Sequence, residues 1–161
     1  MKIGIISDTH DNLEMTEKAC AIFKSRGIDF IIHCGDFTSS KIVKLFKDFN
    51  CRFVMGNADK DSDDLNMECG ILGFEGLMES REFELSGKKF LVIHGNVVSL
   101  FRDAVASGRY DYIIKGHTHY FEDYVRNNVR VINPGSLFGS DESTIAILDV
   151  ESGEVEKIIL D

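Results

Sequence analysis

No stretch of about 18 apolar residues occurs in the 161-residue chain, so the sequence offers no membrane-spanning helix. Nor does it hold a C-x-x-C pair. Cys20, Cys34, Cys51 and Cys69 stand apart, which argues against a zinc ribbon or a disulfide framework and leaves reduced, structural thiols as the expectation. Basic charge is scarce as well: 18 Lys and Arg face 27 Asp and Glu, a formal net charge of -9, whereas a sequence-independent grip on nucleic acid needs the opposite balance. The opening apolar run gives way to Ser7-Asp8-Thr9-His10 too soon for a signal peptide, so a cytoplasmic location is expected. Internal repeats and low-complexity linkers are missing too, and a 161-residue chain with 43% apolar content fits a single domain over 1–161.

What is present begins with β-type runs alternating with helical patterns, the mark of βαβ units and a parallel sheet. Strands are predicted over residues 2–6, 29–33 and 52–55, and helices over 12–26 and 39–49. A further strand over 90–93, a helix over 99–107 and a strand over 112–114 continue the theme. The pattern then turns to hairpins: 121–126 with 129–132 across Asn127-Asn128, and 144–150 with 155–160 across Glu151-Ser152-Gly153. Two sheets packed face to face with outer helices are expected from this order. Residues 59–78 fit neither period. Their Asp59, Asp61, Asp63 start suggests a calcium loop, but Asp64 stands where such a loop needs Gly and Gly70 where it needs a bidentate Glu, so a solvated acidic loop is expected. The apolar residues 71–78 suit either a flap or subunit contact near the site or ordinary packing on a sheet edge.

Five β-runs end in residues that bind metals. The first leads to Asp8 and His10, the second to Asp36, the third to Asn57, the fourth to His94, and the fifth to His117 and His119. In open α/β sheets the carboxyl ends of the strands share one crevice, so these residues converge there if the strands do. One such histidine is ordinarily structural. Four of the five at the same topological position, with two Asp and an Asn, point to a metal site. Glycine precedes or follows ligands in Gly35-Asp36, Gly56-Asn57, His94-Gly95 and Gly116-His117, where the backbone is expected to turn sharply. Carboxylate, imidazole and amide donors without thiolate suit Mn²⁺, Fe²⁺, Ni²⁺ or Zn²⁺ better than an all-oxygen calcium cage.

Asp8-Thr-His10, Gly35-Asp36, Gly56-Asn57-Ala58-Asp59, His94-Gly95 and Gly116-His117-Thr118-His119 resemble, in order and spacing, the five blocks of the calcineurin-like metallophosphoesterases. The short length and Asn133-Pro134-Gly135-Ser136 are similar to the small YfcE-like phosphodiesterases. The resemblance implies an α/β, four-layer α/β/β/α sandwich of two mixed sheets flanked by helices. It also implies two metals: Asp8, His10, Asp36 and His119 around one, Asp36, Asn57, His94 and His117 around the other, with Asp36 as the bridge. Two close ions would acidify a shared water for attack on phosphorus and bind phosphate oxygens, so that no protein nucleophile is required. They would also be the anion receptor in an acidic protein. Small phosphodiesters are the substrates the resemblance implies, and paired subunits are an expectation of the family.

Many relatives carry His after the Asn, where this chain has Ala58, so weak protonation of the leaving oxygen and a preference for acidic leaving groups are expected. Asp59 and Ser136 are candidates for contacts behind the metals or to substrate. Lys115 is expected to be solvated, and Ser7 and Thr9 to brace the first loop. The rival readings are a protein-binding scaffold like the retromer subunit of this fold, a phosphomonoesterase, and a nuclease. All seven ligand positions are filled, which disfavours the scaffold.

Overall fold

The computed structural model describes residues 1–60 and 62–161. Its first strand, β1 (Lys2–Ile6), shows how the sequence sets the layers. Side chains alternate across a strand, and here both faces are apolar: Ile3 and Ile5 enter one core cluster and Ile6 another. A strand buried on both faces must lie between two layers. β2 (Phe30–His33) repeats this, with Phe30 and Ile32 on one face and Ile31 on the other. Between them α1 (Leu13–Ser25) starts at Asn12, whose side chain accepts from Met15 N, and buries Thr16, Ala19, Cys20 and Phe23.

β3 (Asn50–Phe53) lies two residues earlier than the sequence pattern suggests. Asn50 pairs with Phe30, while past the strand Val54 N still donates to His33 O and Met55 N donates to Met78 O. α2 (Ser40–Leu45) ends four residues short of expectation because Phe46, Lys47 and Phe49 close tight i→i+3 turns, which carry the Phe46 and Phe49 rings inward.

Two elements were not anticipated. α3 (Ser62–Leu72) occupies most of the supposed acidic loop, with Asp63 and Asp64 in its first turn, where negative charge complements the helix dipole. Asp61, part of that expectation, lies outside the described residues. β4 (Ser80–Leu85) pairs antiparallel with β5 (Lys88–Ile93) across Ser86-Gly87, both at positive φ. Of the apolar residues after α3, Leu72, Phe74 and Leu77 pack on the first cluster and Phe74 sits 5.1 Å from the Phe53 ring, so much of this stretch is edge packing.

The remainder follows the predicted order: α4 (Val98–Ser107), β6 (Tyr112–Ile114), β7 (Phe121–Arg126), β8 (Val129–Pro134), β9 (Ser143–Asp149) and β10 (Val155–Leu160). The β7–β8 turn uses Asn127 and Asn128 at φ 51° and 64°, as a two-residue hairpin requires. The strands form two mixed five-stranded sheets, β10-β9-β1-β2-β3 and β4-β5-β6-β8-β7. The last hairpin therefore returns to the first sheet. Three apolar clusters separate four layers: α1, α2 and α3 against the first sheet, sheet against sheet, and the second sheet against α4. This is the α/β/β/α sandwich. No described helix is long and apolar enough to cross a membrane.

Candidate metal centre

β1, β2 and β3 run parallel in one sheet and β5 and β6 parallel in the other. Their carboxyl ends therefore open at a common edge of the sandwich, and the loops that follow carry all seven candidate ligands. These loops hold unusual backbone. Asp8, His10, Asp11, Asp36, Thr38, His117 and His119 all take positive φ, between 42° and 71°, although none is glycine. Such conformations cost of order 1–3 kcal/mol each and persist where surrounding contacts fix them. Here backbone bonds from Asp8 N to Gly35 O, His10 N to Asp36 O and Asp11 N to Phe37 O zip the first two loops together at 3.0 Å.

The glycines act mainly through close approach. A Cβ on Gly56 would collide with the backbone and carboxylate of Asp36, and one on Gly116 with Ser7 Oγ and Asp8 Oδ2. Neither has positive φ, so at these two positions the expected sharp turn gives way to lack of space.

Asp8 is fully buried, and its Oδ2 accepts from Ser7 Oγ (2.5 Å) and His117 N (3.0 Å). Its Oδ1 has no hydrogen-bond partner, though His119 Nε2 lies 3.2 Å away without the alignment of a hydrogen bond. Asp36, 3% exposed, accepts from Ala58 N through Oδ1 (2.8 Å), while Oδ2 stands 3.4 Å from both His10 Nε2 and His94 Nε2. His10 Nε2 is the other buried polar atom without a hydrogen-bond partner among the described residues. His94, 1% exposed, bonds through Nδ1 to Cys34 O at 2.8 Å. A carbonyl only accepts, so Nδ1 carries a proton, and Nε2 faces two acceptors, Asn57 Oδ1 at 3.0 Å and Asp36 Oδ2 at 3.4 Å. A nitrogen so placed calls for a proton or a cation between it and those oxygens.

The pKa directions agree. Burial pushes Asp36 up, but His94, the Ala58 N–H and His10 outweigh it and hold the carboxyl below its usual range. Burial pushes His94 down, and Asp36 and Asp8 outweigh it and raise the imidazole. His117 is lowered, by burial first and then by His94.

Two groups of ligand atoms lie mutually within 4.8 Å: Asp8 with His10 and His119, and Asp8 with Asp36 and His94. They share Asp8, yet Asp36 Oδ2 also reaches both His10 and His94. Asn57 joins the second group through Oδ1, 3.0 Å from His94 Nε2. His117 stands further out, exposed, with its ring 5.1 Å from that of His94. The orphaned Asp8 Oδ1 and His10 Nε2, and the oxygen and nitrogen donors without thiolate, fit divalent ions.

Several residues behind the ligands have clear structural roles. Asp59 is 4% exposed and accepts from Asp36 N and Gly56 N (both 2.8 Å) and Thr38 N (2.9 Å), so it ties the second and third loops together. Burial pushes its carboxyl up in spite of those three donors. Ser136 is fully buried, with its hydroxyl on Asp8 O and Phe138 O, so it braces the first ligand-bearing loop from behind. Lys115, expected in solvent, is 7% exposed and paired with Glu122. Sequence reasoning gave no role to Asn133, whose Nδ2 holds Gly116 O and Thr118 Oγ1 at 2.9 Å each and so fixes the His117 and His119 loop. His33 is a core residue stacked 3.6 Å from Phe37, accepting from Gly35 N and facing Thr9 Oγ1 at 3.1 Å.

Three cavities adjoin the candidate ligands. One of about 450 Å³ lies at Asn57 and His94, with Met55, Ile93, Val97 and Leu100 beside Asn96 and Glu79; one of about 360 Å³ lies at His119, with Phe121, Asp141, Glu142 and Lys157 among its lining; and one of about 330 Å³ lies at His117 and His119.

Residues 1–153 match the family profile described as the calcineurin-like phosphoesterase superfamily domain. Across 168 aligned positions covering all of both chains, the sequence is 38% identical to Phosphodiesterase MJ0936 of Methanocaldococcus jannaschii. A solved structure described as a novel archaeal phosphodiesterase is 37% identical, with 99% of this chain and 100% of that one covered and a TM-score of 0.90. YfcE, a phosphoesterase from E. coli, is 19% identical with all of both chains covered and a TM-score of 0.74. Vps29 from Chaetomium thermophilum reaches the same TM-score at 14% identity, with 99% and 94% covered; at that distance the likeness is one of fold.

Proposed function

The chain belongs to the calcineurin-like phosphoesterase superfamily and is a phosphoric ester hydrolase, and from that premise we propose a two-metal phosphodiesterase acting on small phosphodiesters. Its ligands in this reading are Asp8, His10, Asp36, Asn57, His94, His117 and His119, with Asp36 between the two ions. The observation that carries it is the convergence of Asp8, Asp36, His10, His94 and His119 with two buried donor atoms left without hydrogen bonds. When bound, two divalent ions of the Mn, Ni, Fe or Zn type would supply Lewis-acid charge to a phosphate oxygen and to water.

The chain's own residues prepare that site. Cys34 O holds His94 Nδ1 so that Nε2 faces Asn57 and Asp36, and Ser7 and His117 N hold one oxygen of Asp8 so that the other points inward. Asn57 adds a neutral donor that leaves the site's positive charge for phosphate. Ser7 and Thr9 face a carboxylate and His33 and are no nucleophiles: the His33 imidazole is held well below its usual range by burial and sits inside the core. Ala58 contributes only its N–H, to Asp36, so no imidazole follows Asn57 to protonate a leaving oxygen. Substrates with acidic leaving groups are favoured on that account.

The scaffold reading has less support, since a platform has no use for the strained, filled ligand loops. Four buried free cysteines suit a reducing cytoplasm. Hydrolysis of bis(nitrophenyl) phosphate that depends on added Mn²⁺ or Ni²⁺ and disappears in Asp36→Ala is the expected result. Metal-independent turnover, or full activity in Asp36→Ala, would reject the assignment.

A further inference from the structure

The cavity of about 450 Å³ beside the candidate ligands is continuous with them, because Asn57 and His94 line both. Its remaining walls come from the loop after β3, the residue before β4, and the end of β5 through the first turn of α4. Met55, Ile93, Val97 and Leu100 make them mainly apolar, beside polar Asn96, and Glu79 carries the one carboxylate among the lining residues described. Val97 is 48% exposed, an uncommon position for a valine whose neighbour Val98 is 74% exposed as well. The cavity at His119 is lined by Tyr120 and Phe121 as well, but carries three charged side chains, Asp141, Glu142 and Lys157.

A phosphodiester has two alcohol groups on one phosphorus. With its phosphate at the candidate ligand cluster, the cavity beside Asn57 and His94 is placed to receive one of them. We infer that this cleft seats an alcohol group of the substrate and selects phosphodiesters in which that alcohol is apolar and uncharged. The inference rests on the phosphodiesterase reading above. Apolar walls reward area removed from water, and Glu79 repels a second anionic group such as another phosphate or a carboxylate. The volume admits a phenyl-sized group and leaves room beside it.

The test uses two diesters that share a nitrophenyl leaving group, methyl nitrophenyl phosphate and phenyl nitrophenyl phosphate, with the metal-loaded protein. The phenyl ester should win in kcat/KM by roughly 10-fold or more, beyond the ratio of their uncatalysed rates. Val97→Asn is the informative variant, since Val97 occupies the N-cap of α4, where Asn is well tolerated. It should cut the phenyl-over-methyl preference at least about threefold. Glu79→Gln should raise turnover of a carboxyphenyl ester several-fold relative to the phenyl ester. Binding gives a readout apart from turnover: phenylphosphonate, but not methylphosphonate, should shift the methyl NMR signals of Ile93, Val97 and Leu100. Metal-dependent hydrolysis with no phenyl preference and no methyl shifts would overturn the cleft and leave the phosphodiesterase standing. Loss of hydrolysis for both esters would overturn both.

Discussion

The inner candidate ligands and the outer ones are held in different ways. Asp8, Asp36 and His94 are 0%, 3% and 1% exposed, and each is fixed by main-chain groups: His117 N on Asp8, Ala58 N on Asp36, Cys34 O on His94. His10 and His119 are partly open, with side chains 18% and 27% exposed, and His117 is exposed. Their rings lean on other side chains, as His10 does on Phe138 at 4.9 Å. Preorganisation is thus concentrated in the inner set, which binding need not reorder, whereas the outer set has freedom to adjust to an ion or a substrate.

That contrast breaks most visibly in activity. Asp36→Ala should lower kcat/KM on an activated diester by at least about a thousandfold, since several kcal/mol of transition-state stabilisation depend on the ion site. His117→Ala should cost only about 10- to 100-fold. Equal losses would erase the distinction between inner and outer ligands.

Stability gives the next largest effect. Asp59→Ala removes the acceptor for three main-chain donors beneath the inner set and should destabilise by about 2–5 kcal/mol in urea unfolding, with weaker metal binding. Asp48→Ala, which breaks an exposed pair with Lys24, should leave the unfolding midpoint essentially unchanged.

The histidines make the contrast pH-dependent. His33 is held well below 6.5 by burial, so below that pH the unfolded chain takes up a proton that the folded core refuses, and stability falls with acid. His94 is raised, so the stability it contributes below 6.5 is lost as pH climbs through its folded pKa. Chelator-treated protein should therefore be most stable near pH 6.5, with slopes of at most about 1.4 kcal/mol per pH unit per histidine on each side. Added Mn²⁺ should flatten the alkaline limb, because a cation at Nε2 replaces the proton. A chelated protein whose stability rises steadily from pH 5 to 9 would contradict this.

The smallest effect concerns the leaving group. Ala58→His should speed alkyl esters by roughly tenfold while hardly changing nitrophenyl esters. Equal acceleration of both would show that proton donation is not what Ala58 lacks.

Much of this was legible in the sequence, for physical reasons that differ by region. β1, β2, β5 and β6 are buried on both faces or nearly so, and continuous apolar runs mark them unambiguously. The candidate ligands stand where those runs stop. α3 escaped notice because it buries only Leu65, Glu68 and Cys69 and so has little amphipathic pattern. β4 escaped because Ser80–Leu85 is an edge strand with three charged residues, Arg81, Glu82 and Glu84. The return of β9 and β10 to the first sheet is a long-range pairing that no local pattern encodes. Asp59 and Asn133 act on backbone groups of distant loops, and only the fold reveals which donors and acceptors they meet.

Crystals grown in excess Mn²⁺ and measured by anomalous scattering test the central claim most directly. Two peaks are predicted, both within coordination distance of Asp36, one also touching His10 and His119 and the other His94 and Asn57. A single peak, or ions that leave Asp36 on one side only, would contradict the account.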